Sequence, residues 1–177
     1  MRVIIQPSYG TKHARRHWAD TLDQPVPFLH PRYAEALSPA ERAELLAGHP
    51  DGTARFWGAT PQHDKKMDTL EAGDVVLLTG QKHVRALGTV RCRLRNDELA
   101  RRLWTPDPAR CLWRNVYTFG AYTPAAIPYE EVWSLPGFTN GDNFMGLRFL
   151  NAEKSKTVFT GLGIAELLES QATPRRG

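Results

Sequence analysis

The chain has 177 residues, enough for one domain with a well-filled core and too few for two large ones. Hydrophobic residues make up 41% and charged residues 24%, which excludes wholesale disorder, and no apolar run approaches the ~20 residues that span a bilayer. A formal charge of +4 and a pI near 9.3 favour polyanionic partners, but only the arrangement of those charges can argue for one.

The opening MRVIIQPSYG lacks the long apolar core of a secretory signal, so a cytoplasmic location is expected. Its VII run predicts a strand over Arg2–Gln6, ended by Pro7. Lys12, His13, Arg15, Arg16 and His17 then gather in a loop or short helix with a positive face, and the prolines from Pro25 to Pro31 prevent a helix from continuing. Ser38-Pro39-Ala40-Glu41 combines an N-cap serine, proline at the first helical position and a capping-box glutamate, so a helix is predicted to run to about Ala47. Strands follow at Ala54–Ala59, Val75–Thr79 and Val84–Leu94, with a helical turn at Asp64–Leu70. In the third, Val84, Ala86, Gly88, Val90, Cys92 and Leu94 alternate with a face carrying Arg85, Arg91 and Arg93. A helix over Asn96–Trp104, a strand over Leu112–Phe119, a short helix at Ile127–Val132, a last strand at Phe144–Leu150 and a helix at Ile164–Ser170 complete the reading. The residues from 172 onward read as a flexible tail. Five to six short strands with irregularly placed short helices predict an α+β fold built on a small β-barrel.

Catalytic signatures are missing: the chain has no phosphate-binding glycine loop, no G-x-S-x-G and no H-E-x-x-H. His13 and His17 stand four apart without a third ligand at a recognisable spacing, Cys92 and Cys111 form no C-x-x-C, and the carboxylates are dispersed. No metal and no cofactor are expected, and both cysteines are expected as reduced thiols. The aromatic residues are more informative. Trp57, Trp104, Trp113, Tyr117, Phe119 and Tyr122 interleave with Lys65, Lys66, Lys82, Arg85, Arg91, Arg93 and Arg114. Stacking on rings and basic groups on the backbone are what binding of an exposed base requires, although any single tryptophan of a small barrel can equally be core. In LWRNVYTF, alternation puts Trp113, Asn115, Tyr117 and Phe119 on one face; Asn115 can pair with a base edge or with a loop backbone.

The ordered set FWGATP, LEAGDVVLLTG, VRALGTVRCRL, LWRNVYTF and IPYEEV, spanning Ala54 to Leu150, resembles the EVE-like and YTH-like branch of the PUA-like superfamily. That branch includes the modified-base-reading domains at the N-termini of modification-dependent (type IV) restriction enzymes. The resemblance implies a PUA-like barrel whose pocket takes a modified base such as 5-methylcytosine or 6-methyladenine flipped from DNA, or a methylated base in single-stranded RNA; double-stranded DNA carrying a methylated base is the leading expectation. By position, Trp57 and Trp113 match the aromatic walls, and Gly58, Ala59 and Thr79 line the pocket. Asn115 and Tyr117 join it from the strand alternation. The first fifty residues, with the basic loop, fall outside the resemblance; residues 1–53 are expected to pack on a barrel of residues 54–171.

The leading expectation is a non-catalytic reader, with Lys12, Arg15, Arg16, Lys82, His83, Arg85 and Arg114 on the nucleic-acid backbone and any nuclease on another domain or chain. The alternative is an RNA-binding or RNA-processing protein on the same barrel, using Lys82 with His83 or His17 as general base. No membrane partner is expected.

Overall fold

The computed structural model of the protein describes residues 1–105 and 112–171; Cys111 and the tail expected from residue 172 lie outside the described residues. Strand β1 (Val3–Pro7) is followed by α1 (Lys12–Thr21), where the sequence predicts a loop or short helix. Thr11 caps α1 by accepting the Ala14 N–H, and Ala14, His17, Trp18 and Thr21 form its buried face at helical spacing. Then come β2 (Val26–Pro27), α2 (Pro31–Ala34) and α3 (Pro39–Gly48). The capping box of α3 is in place: Ser38 Oγ accepts the Glu41 N–H at 3.1 Å and Glu41 accepts the Ser38 N–H at 2.9 Å. The expected strand at residues 54–59 divides into β3 (Thr53–Ala54) and β4 (Phe56–Ala59), followed by α4 (Asp64–Met67). β5 (Val75–Gly80), β6 (His83–Arg95), α5 (Asp97–Leu103), β7 (Asn115–Pro128), α6 (Tyr129–Trp133), β8 (Arg148–Phe149), α7 (Ala152–Gly161) and α8 (Ile164–Glu169) complete the order.

Six strands hydrogen-bond in the order β4-β7-β6-β5-β1-β8, and β2 pairs with β3 in a separate ladder. The mixed α and β composition and the six-stranded sheet agree with the predicted fold class. The chain divides into two compact units. One comprises residues 1–10, 73–89 and those from 121 onward; the other comprises residues 11–72 and 90–120. The predicted boundary at residue 53 falls inside the second unit's first segment, and β6 and β7 each run from one unit into the other.

In the first unit β1 lies between β5, its parallel partner, and antiparallel β8. Val3 to Gln6 are buried on both faces, the expected pattern for a central parallel strand and the reason VII reads as an unbroken apolar run. Its core joins Val3, Ile5, Val75, Leu77, Val84 and Leu87 of the strands to Tyr129, Phe144, Val158 and Ile164. Helix α7, which the sequence reading leaves out, fixes the start of β1: Ser155 Oγ accepts the Val3 N–H at 2.9 Å. The strand expected over residues 144–150 shortens to two residues because Phe144 (φ 50°) and Gly146 (φ 81°) turn the backbone left-handed. β5 and β6 are joined by Gln81-Lys82, with Gly80 paired to His83, so the loop has two residues. Their φ values of 51° and 62° match the twist that a two-residue hairpin demands.

The second unit packs Phe28, Leu45, Phe56, Leu99, Leu103, Trp104 and Val116 into its core. β4 pairs antiparallel with the start of β7, Trp57 opposite Tyr117 and Ala59 opposite Asn115. Residues 115–119 are all buried, so this part of β7 is covered on both faces where the sequence alternation predicts two unlike ones. Cys92 is a free, buried thiol.

Candidate nucleic-acid interface

Four tryptophans and a histidine form one aromatic cluster inside the second unit. Trp57 on β4 meets Trp113 edge-on at 5.0 Å, Trp104 at 6.3 Å and Trp18 at 5.9 Å, and Trp104 meets Trp113 at 5.6 Å. His17 contacts Trp113 edge-on at 4.4 Å and Trp104 at 5.9 Å. Trp57 is 0% exposed, His17 2% and Trp104 3%; Trp113 is half-buried and so forms the outer side of the cluster. Helix α1 supplies His17 and Trp18 as adjacent members of its buried face, and Trp104 is delivered by the end of α5.

The polar atoms of the cluster divide into satisfied and unsatisfied. The Trp104 indole N–H donates to Thr21 Oγ1 at 3.0 Å, and the Trp18 N–H donates to Asp23 at 3.1 Å. Among the described residues the buried side-chain polar atoms without a partner are His17 Nδ1, Trp57 Nε1 and Thr60 Oγ1. Such groups normally find partners, since leaving one buried and unpaired costs about 1–3 kcal/mol. Two of the three belong to rings that touch Trp113, and Thr60 follows β4 directly. Burial holds the His17 imidazole below its ordinary pKa of 6.5, against the opposing pull of its bond to Thr105. Gly58 borders the same cluster: a Cβ there would stand 2.9 Å from the Trp113 carbonyl oxygen and 3.0 Å from the Trp104 ring.

Of the predicted pocket residues, Trp57, Gly58, Ala59, Trp113, Asn115 and Tyr117 belong to this unit. Asn115 is committed to protein partners: its amide N–H groups donate to Thr60 O at 3.1 Å and Asp64 Oδ1 at 2.8 Å, and its Oδ1 accepts from Arg95 at 2.9 Å. Arg114 forms an ion pair with Asp64, and Arg95 another with Asp68 at 2.7 Å. The bonds from Arg114 and then Asn115 hold the Asp64 carboxyl below its ordinary pKa. This network locks the end of β4 to β7. Ala59 is buried, and Tyr117 is fully buried with its ring 5.4 Å from Phe119. The sequence reading groups Trp104 with the aromatics without placing it in the pocket, and gives His17 a phosphate-contacting, solvent-facing or general-base role. It leaves out Trp18 and Thr60. The available signal was the helical spacing of Ala14, His17, Trp18 and Thr21, which marks His17 and Trp18 as inward.

The predicted backbone-contacting residues fall in both units. Lys12 and Arg16 are exposed on α1, and Arg15 is half-buried there. Lys82, His83 and Arg85 belong to the first unit, at and beside the β5–β6 turn. Lys82 is exposed, the His83 ring N–H donates to Gln81 O at 2.9 Å, and the Arg85 guanidinium lies 4.1 Å over the Tyr9 ring. Thr79 is also in the first unit, buried on β5 and hydrogen-bonded with Tyr129. Among the described residues no group of three His, Cys, Asp or Glu gathers to hold a metal, and no helix is long and apolar enough to cross a membrane.

The six-stranded sheet with its flanking helices agrees with the fold class expected from the sequence and is a fold shared with a solved structure. The particular neighbour is the N-terminal domain of Thermococcus gammatolerans McrB bound to m5C DNA. It superposes with a TM-score of 0.67 at 15% identity, over 93% of this chain and 99% of that one. No family model and no curated protein sequence matches the chain.

Proposed function

We propose that the chain is a non-catalytic reader of methylated DNA, taking a base flipped out of the duplex against the Trp57, Trp104 and Trp113 rings. One observation carries the reading: a buried tryptophan cluster in which, among the described residues, His17 Nδ1 and Trp57 Nε1 have no partner. A cluster that served packing alone would be expected to pair such atoms, as it does those of Trp18 and Trp104. A planar ligand with hydrogen-bonding edges answers both needs, and a nucleobase is one. The structural neighbour, a domain bound to m5C DNA, supports methylated DNA as the target. Trp113, half-buried and outermost in the cluster, is the ring that an entering base meets first.

Lys12 and Arg16 stand on the outer face of the helix whose inner face carries His17 and Trp18, so one element serves both phosphate and base. Lys82, His83 and Arg85 form a second basic patch, and the charge of Arg114 is held by Asp64. A reader of this kind works as the recognition module of a modification-dependent restriction system in the cytoplasm, with cleavage assigned to another domain or chain.

The test is a binding panel at fixed salt with duplexes carrying 5-methylcytosine, 5-hydroxymethylcytosine, 6-methyladenine or no modification. One modified duplex is expected to bind best, and Trp113→Ala is expected to lower its advantage over plain DNA by about 5- to 150-fold, the worth of one base stacked on a ring. Equal binding of all four duplexes by the unaltered protein overturns the reading.

A further inference from the structure

The surroundings of His17 set its tautomer and favour its neutral form. Its Nε2 lies 2.9 Å from the Thr105 carbonyl oxygen, which can only accept, so Nε2 carries the hydrogen. In a neutral ring Nδ1 is then a bare lone pair, and burial favours the neutral ring. Among the described residues that lone pair meets no donor. The charged or titratable groups acting on the ring, Asp20, His13 and Arg16, lie on its own helix. The other elements packed against it contribute the Trp104 and Trp113 rings and the Thr105 carbonyl, none of which titrates. Trp57 offers the complementary group, an indole N–H without an acceptor. Both rings contact Trp113, with centroids 4.4 Å away for His17 and 5.0 Å for Trp57, so the ring bearing the acceptor and the ring bearing the donor meet the same indole.

Resting on the base-reading function proposed above, we infer that His17 is its specificity-determining residue: Nδ1 accepts from the exocyclic amine of an inserted cytosine- or adenine-type base, while the Trp57 N–H donates to the ring nitrogen beside that amine. Cytosine and adenine both carry an amine donor next to a bare ring nitrogen. Thymine and guanine carry a carbonyl next to a ring N–H, which in the same orientation sets lone pair against lone pair and hydrogen against hydrogen. A buried site that hydrogen-bonds its ligand rejects the mismatched analogue strongly, because its own polar groups are left unpaired.

Thymine is the sharp probe, since it keeps the ring and the 5-methyl group of 5-methylcytosine and changes only the hydrogen-bonding edge. Fluorescence anisotropy with duplexes carrying 5-methylcytosine, cytosine or thymine opposite an abasic site removes differences in base-pair opening. A second set carries 6-methyladenine, adenine or hypoxanthine. The unaltered protein is expected to favour the amine-bearing methylated base over its carbonyl analogue by roughly tenfold or more. His17→Leu is expected to bring that ratio to near one, and His17→Gln, which keeps an acceptor oxygen, to restore part of it. In the unaltered protein the ratio should hold from pH 8 down through 6.5 and fall in more acidic buffer as Nδ1 takes up a proton.

His17→Leu that folds, as judged by its unfolding curve, and keeps the full ratio overturns the inference. So does a preference of the unaltered protein for thymine and hypoxanthine. Should His17→Leu fail to fold, His17→Gln and the pH series decide: a ratio unchanged by both overturns the inference. Failure of the wider reading shows differently, as an unaltered protein that binds methylated and unmethylated probes of each set equally.

Discussion

The tryptophan cluster of the second unit and the β5–β6 turn of the first carry opposite kinds of unfinished business. In the cluster the rings are buried and two polar edges wait for partners. At the turn Lys82 is charged and solvent-facing, and the backbone carries the strain: Gln81 and Lys82 hold left-handed φ values of 51° and 62° without the glycine or asparagine usual there. The first arrangement suits discrimination, because a buried group rewards one partner and penalises the rest. The second suits attraction, because exposed cations draw any phosphate and are screened by salt. Affinity and selectivity should therefore respond to different substitutions.

The largest effect is expected for Trp57→Ala. Removing a ring with 0% exposure should cost about 3–5 kcal/mol in urea unfolding as well as the preference for modified DNA. Trp113→Ala, from a half-buried position, should lose that preference with a clearly smaller loss of stability. Equal stability losses at the two positions would break the distinction between core and outer ring. Lys82→Ala and Arg85→Ala should weaken binding to modified and plain duplexes alike, each lowering the slope of log affinity against log salt by about one where a phosphate contact is lost. A change in selectivity from either would merge the two regions. The smallest effect is on stability against pH. Burial lowers the folded pKa of both His17 and His49 below the 6.5 of the free ring, so the unfolded chain binds more protons. Stability should be full above 6.5 and decline as pH falls below it, a trend that thermal unfolding in a buffer series measures.

Much of the fold is legible in the sequence where one local signal dominates. The capping box at Ser38 and Glu41 fixes the start of α3, and the alternation from Val84 to Leu94 places β6, with Leu87 buried against the pattern because the core of the first unit reaches it. Signals fail where tertiary context overrides them. β7 runs on to Pro128 through a segment with two prolines and little alternation, and α7 buries only Ser155 and Val158 of its ten residues. The site is legible in part. Trp57 and Trp113 stand out as aromatics on or beside strands, whereas His17 and Trp18 sit in a run of basic residues that masks a buried helix face. No local pattern announces that an imidazole nitrogen will be left without a partner. That depends on Thr105, 88 positions away, taking the other nitrogen.

The second unit is assembled from two stretches of chain, residues 11–72 and 90–120, separated by strands that belong to the first. A site built this way is not portable as a cassette. Grafting its specificity onto another protein means moving α1 with His17 and Trp18, β4 with Trp57 and the stretch bearing Trp104 and Trp113 together. A fragment beginning at residue 54 would keep the later tryptophans and lose both the imidazole and its helix. Recombination with another domain of this fold should accordingly keep the cluster only when its crossover points spare both stretches.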